Sequence, residues 1–114
     1  MKKMNESDRD LLAKQLWTIG DQSRLRLLAL LPHCPEAGEP ISVSRLASAL
    51  NLSQPTVSNH LARLRTLGIV RHRRLGREVH YCIDQAVAQT ILSRLEEALK
   101  TRETPSRKGR GAQS

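Results

Sequence analysis

Two helical patterns separated by only three residues, Asn51-Leu52-Ser53, constrain this chain more than anything else in it. Ahead of the link, Ser42 is placed to cap a helix whose Val43, Leu46, Ala47 and Leu50 recur at i, i+3, i+4 and i+7, one face of a 3.6-residue period. Asn51 suits the left-handed turn that ends such a helix, because its short polar side chain tolerates positive φ. Ser53 then caps a second helix. Pro55 is tolerated in its first turn, where the N–H groups have no intrahelical partner. Val57, Leu61 and Leu64 form the buried stripe of that helix, and Gly68 closes it. So short a link forces the second helix across the first, leaving its outer face projecting from the body.

The flanking segments complete an architecture. Ser7–Ile19 reads as a helix, with Ser7 as cap, Asp8 and Asp10 at the positive end of its dipole and Gly20 as its stop. Asp21 caps a second helix over Gln22–Leu31, rich in leucine and ended by Pro32, and Pro32–Pro40 reads as a loop. After Gly68 the period changes from helical to alternating. Ile69–Arg74 and Val79–Ile83 read as two strands joined by Leu75-Gly76-Arg77, with Val79, Tyr81 and Ile83 on one face. A final helix over Asp84–Arg102 carries Val87, Ile91, Leu95 and Ala98 at helical spacing. The expected fold is mainly α with a small β-hairpin: a winged helix-turn-helix of about five helices plus a two-stranded wing. Residues 1–102 form one domain, and residues 103–114, which lack an apolar pattern, form an expected disordered basic tail.

Composition narrows the function. A chain of 114 residues has room for one domain, not for a catalytic domain plus a regulatory one. No glycine-rich phosphate loop, clustered metal-ligand motif or nucleophile motif is present, so an enzyme is not expected, nor a cofactor. The longest apolar run, Leu27–Leu31, falls far short of a membrane span, and no apolar signal core follows Lys2 and Lys3, which points to the cytoplasm. With no Phe, one Trp and one Tyr, the chain also lacks the rings on which single-stranded nucleic acid stacks.

Charge points to a partner. Between Pro40 and Arg77 there is no Asp or Glu but there are seven arginines, so this third of the chain carries +7 of a net +8. A one-signed surface suits a polyanion, since each Arg beside a phosphate releases condensed counterions. The outer face of the second linked helix bears Gln54, Thr56, Ser58, Asn59, His60, Arg63 and Arg65. Small polar groups near the helix start suit base edges in a major groove, and the arginines beyond suit phosphates. Arg45, and Arg71, Arg73, Arg74 and Arg77 of the hairpin, are placed for backbone contacts. A solvated helix face is the plain alternative, but that face coincides with the acid-free block. Double-stranded DNA is the expected partner.

Three stretches carry a family resemblance: Asp21-Gln22-Ser23-Arg24-Leu25-Arg26-Leu27-Leu28, Leu46-Ala47 through Leu50-Asn51-Leu52-Ser53-Gln54-Pro55-Thr56-Val57-Ser58-Asn59-His60-Leu61, and Leu67-Gly68-Ile69-Val70. Together they resemble the ArsR/SmtB winged-helix repressors over about residues 8–100. The resemblance implies a homodimer built from the first and last helices, with Leu12, Leu16, Trp17, Ile91, Leu95 and Leu99 as interface residues. It also implies a two-fold symmetric operator and repression by occluding a promoter, released by an effector. His60 matches a histidine common in that family's recognition helix, and His72 also reads as DNA-facing.

The family's metal sites are not matched. Arsenic and cadmium sensors place a Cys-Val-Cys pattern where this chain has Ser42-Val43-Ser44, and a serine hydroxyl is a poor ligand for soft metals. Zinc sensors use an Asp-x-His pair where this chain has Asp84-Gln85-Ala86, and no His follows in the last helix. No metal site is expected. Cys34 and Cys82 remain, as a thiol pair that could oxidise to a disulfide and shift the wing, as a metal-responsive switch using the neighbouring His33 and His80, or as two ordinary small side chains, the plainer reading.

Overall fold

The computed structural model describes residues 4–34, 41–100 and 102. Its elements run α1 (Glu6–Ile19), α2 (Gln22–Leu30), α3 (Val43–Leu50), α4 (Gln54–Thr66), β1 (Val70–Leu75), β2 (Glu78–Ile83) and α5 (Gln85–Lys100). This is the expected winged helix-turn-helix, five helices and a two-stranded antiparallel hairpin. Residues 103–114 lie outside the described residues, as do 35–40 of the expected loop.

Each helix begins where a short polar side chain can accept a hydrogen bond from an otherwise unsatisfied first-turn N–H. Asn5 Oδ1 accepts from Asp8 N at 2.7 Å, Asp21 Oδ2 from Arg24 N at 3.1 Å and Ser42 Oγ from Arg45 N at 3.3 Å. Ser53 Oγ accepts from Thr56 N at 3.2 Å and Asp84 Oδ1 from Val87 N at 3.1 Å. The first cap is Asn5 rather than Ser7, because the asparagine reaches the first turn of a helix that already starts at Glu6. Asn51 adopts φ 58° and ψ 47°, and Leu52 N donates to Ala47 O at 3.0 Å, which closes α3 and turns the chain into α4 within three residues.

The core is aliphatic. Leu27, Leu46, Val57, Leu61 and Leu64 are fully buried, joined by Leu12, Leu31, Ala47, Leu50, Ile69, Val70, Ile83 and Ile91. It sits where α3 packs against both α2 and α4, and α1 packs against α5, α2 and α4. Leu25 and Leu30, which share α2 with buried Leu27, point outward instead.

The hairpin pairs Val70 with Ile83 through Leu75 with Glu78 and leaves Gly76 and Arg77 as a two-residue turn. Gly76 has φ 65°, which its missing Cβ permits at the first position of such a turn. The start of the expected loop does more than connect. Ile83 N donates to Pro32 O and Cys34 N donates to Ile83 O, both at 2.8 Å, so Pro32–Cys34 lies alongside β2 in a parallel rung. A single rung has no periodic pattern to announce it, and the prolines obscure it further.

Leu61→Ala should cost about 2–5 kcal/mol, because the surrounding aliphatic core can only partly close the hole. Ser53→Ala should cost about 1 kcal/mol through loss of the α4 cap. Urea midpoints at one fixed protein concentration compare the two, and equal losses would contradict the central position of Leu61.

Candidate nucleic-acid interface

The site is built from α4 outward. Val57, Leu61 and Leu64 pin one stripe of α4 to Leu46, Ala47 and Leu50 of α3. At about 100° per residue this leaves Gln54, Ser58, Asn59, Arg63 and Arg65 exposed, and so the structure places them. Thr56 is half-buried, its Oγ1 accepting from Ser53 Oγ at 2.8 Å, so its hydroxyl is tied into the cap.

His60 differs from the expectation. It is half-buried on the side of α4 that faces α2, where its Nδ1 accepts from Arg24 Nε at 3.1 Å. Arg24 also donates from Nη1 to Thr18 O at 2.8 Å, near the end of α1. One guanidinium therefore joins α1, α2 and the exposed helix, and His60 serves as its acceptor rather than as a free group on the outer face. Arg24 was visible in sequence only as part of a motif. Its partner lies 36 positions away, beyond the reach of helical periodicity.

The hairpin follows α4 in the chain, and β1 packs against it. Arg71, Arg73, Arg74 and Arg77 are all exposed. Arg71 Nη1 stands 3.6 Å from Asp84 Oδ2, which ties that arginine to the cap of α5. His72 stacks on Tyr81, with ring centroids 5.8 Å apart and planes at 23°. Among the described residues, Arg45, Arg63, Arg65, Arg74 and Arg77 meet no carboxylate. No acidic residue between Pro40 and Arg77 opposes their charge.

The residues expected at a subunit interface divide into two groups. Leu12 and Ile91 are each only 5% exposed, because they pack into the chain's own core. Leu16 is partly buried against the same core and Leu95 is half-buried. Trp17 is 86% exposed and Leu99 78%, and Leu11 and Leu92 stand exposed on the same two helices. Arg94 Nη2 reaches Asp8 Oδ1 at 3.3 Å and braces α5 against α1.

The metal and thiol expectations are also placed. Ser42 Oγ and Ser44 Oγ lie 3.2 Å apart, so the two positions do converge, but with hydroxyls. Asp84 is occupied as the cap of α5 and the partner of Arg71. Among the described residues no group of three or more His, Cys, Asp or Glu side chains could hold a metal ion. Cys34 and Cys82 are joined in a disulfide.

Residues 21–72, from the cap of α2 into β1, match the family described as bacterial regulatory protein, arsR family. The arsenic resistance transcriptional regulator ArsR1 of Pseudomonas putida is 40% identical over 73 residues, covering 64% of this chain and 54% of that protein. The arsenical resistance operon repressor of Escherichia coli K12 is 38% identical over 89 residues, covering 77% of this chain and 73% of that one. The chain thus spans about half the length of the first relative and nearly three quarters of the second. Among solved structures, the homodimeric winged helix-turn-helix DNA-binding domain Mb0332 of Mycobacterium bovis superposes with a TM-score of 0.63 at 25% identity, over 93% of this chain and all of that one. The family match runs through α3, the three-residue link and α4, the elements that build the exposed basic face, and the likeness to the E. coli repressor extends well beyond them. The chain belongs to the arsR family of bacterial regulatory proteins.

Proposed function

We propose that this chain is a homodimeric, sequence-specific regulator of transcription that binds a two-fold symmetric site on duplex DNA and represses by occluding a promoter. The observation that carries the reading is the run of exposed arginines from α4 through β1 to the hairpin turn, Arg63 to Arg77, with no acidic residue among them; the first acid beyond it, Glu78, is paired with His80. Asn59 and Gln54 supply amides of the kind that bind adenine through paired hydrogen bonds, and Arg63 and Arg65 lie further along for phosphates. Arg74 and Arg77 at the hairpin tip follow the neighbouring backbone or enter the adjacent minor groove. The relatives, two regulators of arsenic resistance and one homodimeric DNA-binding domain, support the same reading.

A dimer follows from what α1 and α5 leave uncovered. Trp17, Leu92 and Leu99 are large apolar groups in open solvent, and a second copy would bury them while setting two α4 helices about one DNA turn, ~34 Å, apart. A chain that acts on DNA is expected in the cytoplasm; no described helix is long and apolar enough to cross a membrane.

Binding should be steeply salt-dependent, falling ~10³–10⁵-fold between 50 and 200 mM salt if six to ten phosphates are neutralised. Arg74→Ala or Arg77→Ala should weaken all duplexes alike and flatten that slope by about one per lost contact, hence about two per dimer. Asn59→Ala should cost ~1–3 kcal/mol on the selected duplex and little on random DNA. Fluorescence anisotropy on both duplexes separates these effects, and equal losses for Asn59→Ala would remove its base-reading role. Leu92→Glu with Leu99→Glu should yield monomers in sedimentation velocity and weaken DNA binding together; a dimer that survives both changes would place the interface elsewhere.

A further inference from the structure

Cys34 and Cys82 form a disulfide between the residues just past α2 and the far end of β2, with Cα atoms 5.3 Å apart, inside the span a sulfur bridge requires. The backbone around them is in register without the sulfur bond. Pro32 O accepts from Ile83 N, Ile83 O accepts from Cys34 N, and Gln85 Nε2 lies 2.7 Å from His33 Nδ1 across the same seam. Two reduced thiols would therefore face each other with no rearrangement of the chain. Both cysteines are half-buried, and neither belongs to the aliphatic core. Their position matters more than their chemistry. The bridge spans 48 positions and encloses α3, α4 and β1, the whole basic face. Cys82 is the cross-strand partner of Arg71, at the root of the hairpin.

We propose that Cys34 and Cys82 are a reversible dithiol–disulfide site that sets how firmly the hairpin is held against the end of α2, and thereby how tightly the protein binds DNA. The proposal rests on the DNA-binding reading above. A protein acting on DNA in a reducing compartment holds this pair as thiols until an oxidant appears, the usual circumstance of a cytosolic sensing disulfide. The oxidant is a hydroperoxide. One thiolate attacks the peroxide, which breaks its O–O bond and leaves as an alcohol or water while the sulfur becomes a sulfenic acid. The second thiol displaces water from that sulfur and the S–S bond forms, so the pair loses two electrons and the peroxide gains them. A dithiol reverses the step by exchange through a mixed disulfide. The bridged form binds DNA more tightly, because a hairpin fixed at its root loses less freedom when it settles on the backbone.

The test compares wild-type protein reduced with dithiothreitol and oxidised with hydrogen peroxide, the intramolecular bond being checked by mass spectrometry and non-reducing electrophoresis. Anisotropy on a duplex selected from a random-sequence pool should show the oxidised form binding on the order of tenfold tighter. Linkage requires DNA to protect the disulfide by the same factor, so its midpoint potential should fall by ~30 mV in the presence of that duplex. Cys34→Ser and Cys82→Ser should bind like reduced wild type and ignore peroxide. Equal or weaker binding by the oxidised form overturns the proposal. So does a peroxide-treated protein whose thiols stay free or bridge between chains, or a bond that resists excess dithiothreitol in the folded protein. If neither form binds any duplex while the disulfide still forms and breaks, the DNA-binding reading fails and takes this proposal with it.

Discussion

Everything outward-facing in this protein depends on the turn at Asn51-Leu52-Ser53. Asn51 takes a left-handed conformation that ends α3, the Leu52 N–H closes onto Ala47 O, and the Ser53 hydroxyl opens α4. Three residues thus fix the crossing of two helices whose inner stripes, Leu46-Ala47-Leu50 and Val57-Leu61-Leu64, then bury one another. Because the stripe of α4 is pinned, its opposite face has no choice but to look outward. The orientation of Asn59 and Arg63 is a consequence of packing on the other side of the helix.

Electrostatics follows the same division. Acidic side chains occur in the first and last thirds of the chain, where Asp8 braces α5 through Arg94 and Asp84 holds Arg71 at the hairpin root. The middle third has no such pairs of its own. Repulsion among its arginines is tolerated because they are exposed to solvent and its screening counterions. A surface of that kind costs stability and gains attraction for a polyanion at a distance. Arg24 works differently, spanning α1, α2 and His60 and so joining the helices beneath the basic face to the helix that carries it.

Local signals made the elements legible. Asp21, Ser42 and Ser53 as caps, Asn51 as a stop and the change of period after Gly68 each have a near-neighbour cause, and each is where the chain folds as expected. Long-range contacts were not legible in the same way. The Arg24–His60 hydrogen bond and the rung between Pro32–Cys34 and Ile83 join positions 36 to 51 residues apart with no spacing rule to reveal them, and the pairing of Cys34 with Cys82 is only one of the readings that two cysteines allow. Apolar stripes had a related ambiguity. Leu12 and Leu99 lie on helices of the same amphipathic kind, yet one is buried inside the chain and the other stands in solvent, because periodicity gives a face but not what covers it.

On the proposed function, α4 reads bases while the hairpin grips the backbone, twice, in a symmetric pair. Footprinting of the selected duplex tests this directly, with dimethyl sulfate for the major groove and hydroxyl radical for the backbone. Two major-groove patches of protection should appear, centred about one helical turn, ~10 base pairs, apart, each flanked by backbone protection that disappears with Arg74→Ala and Arg77→Ala. A single patch, or backbone protection with an untouched major groove, would contradict that division of labour.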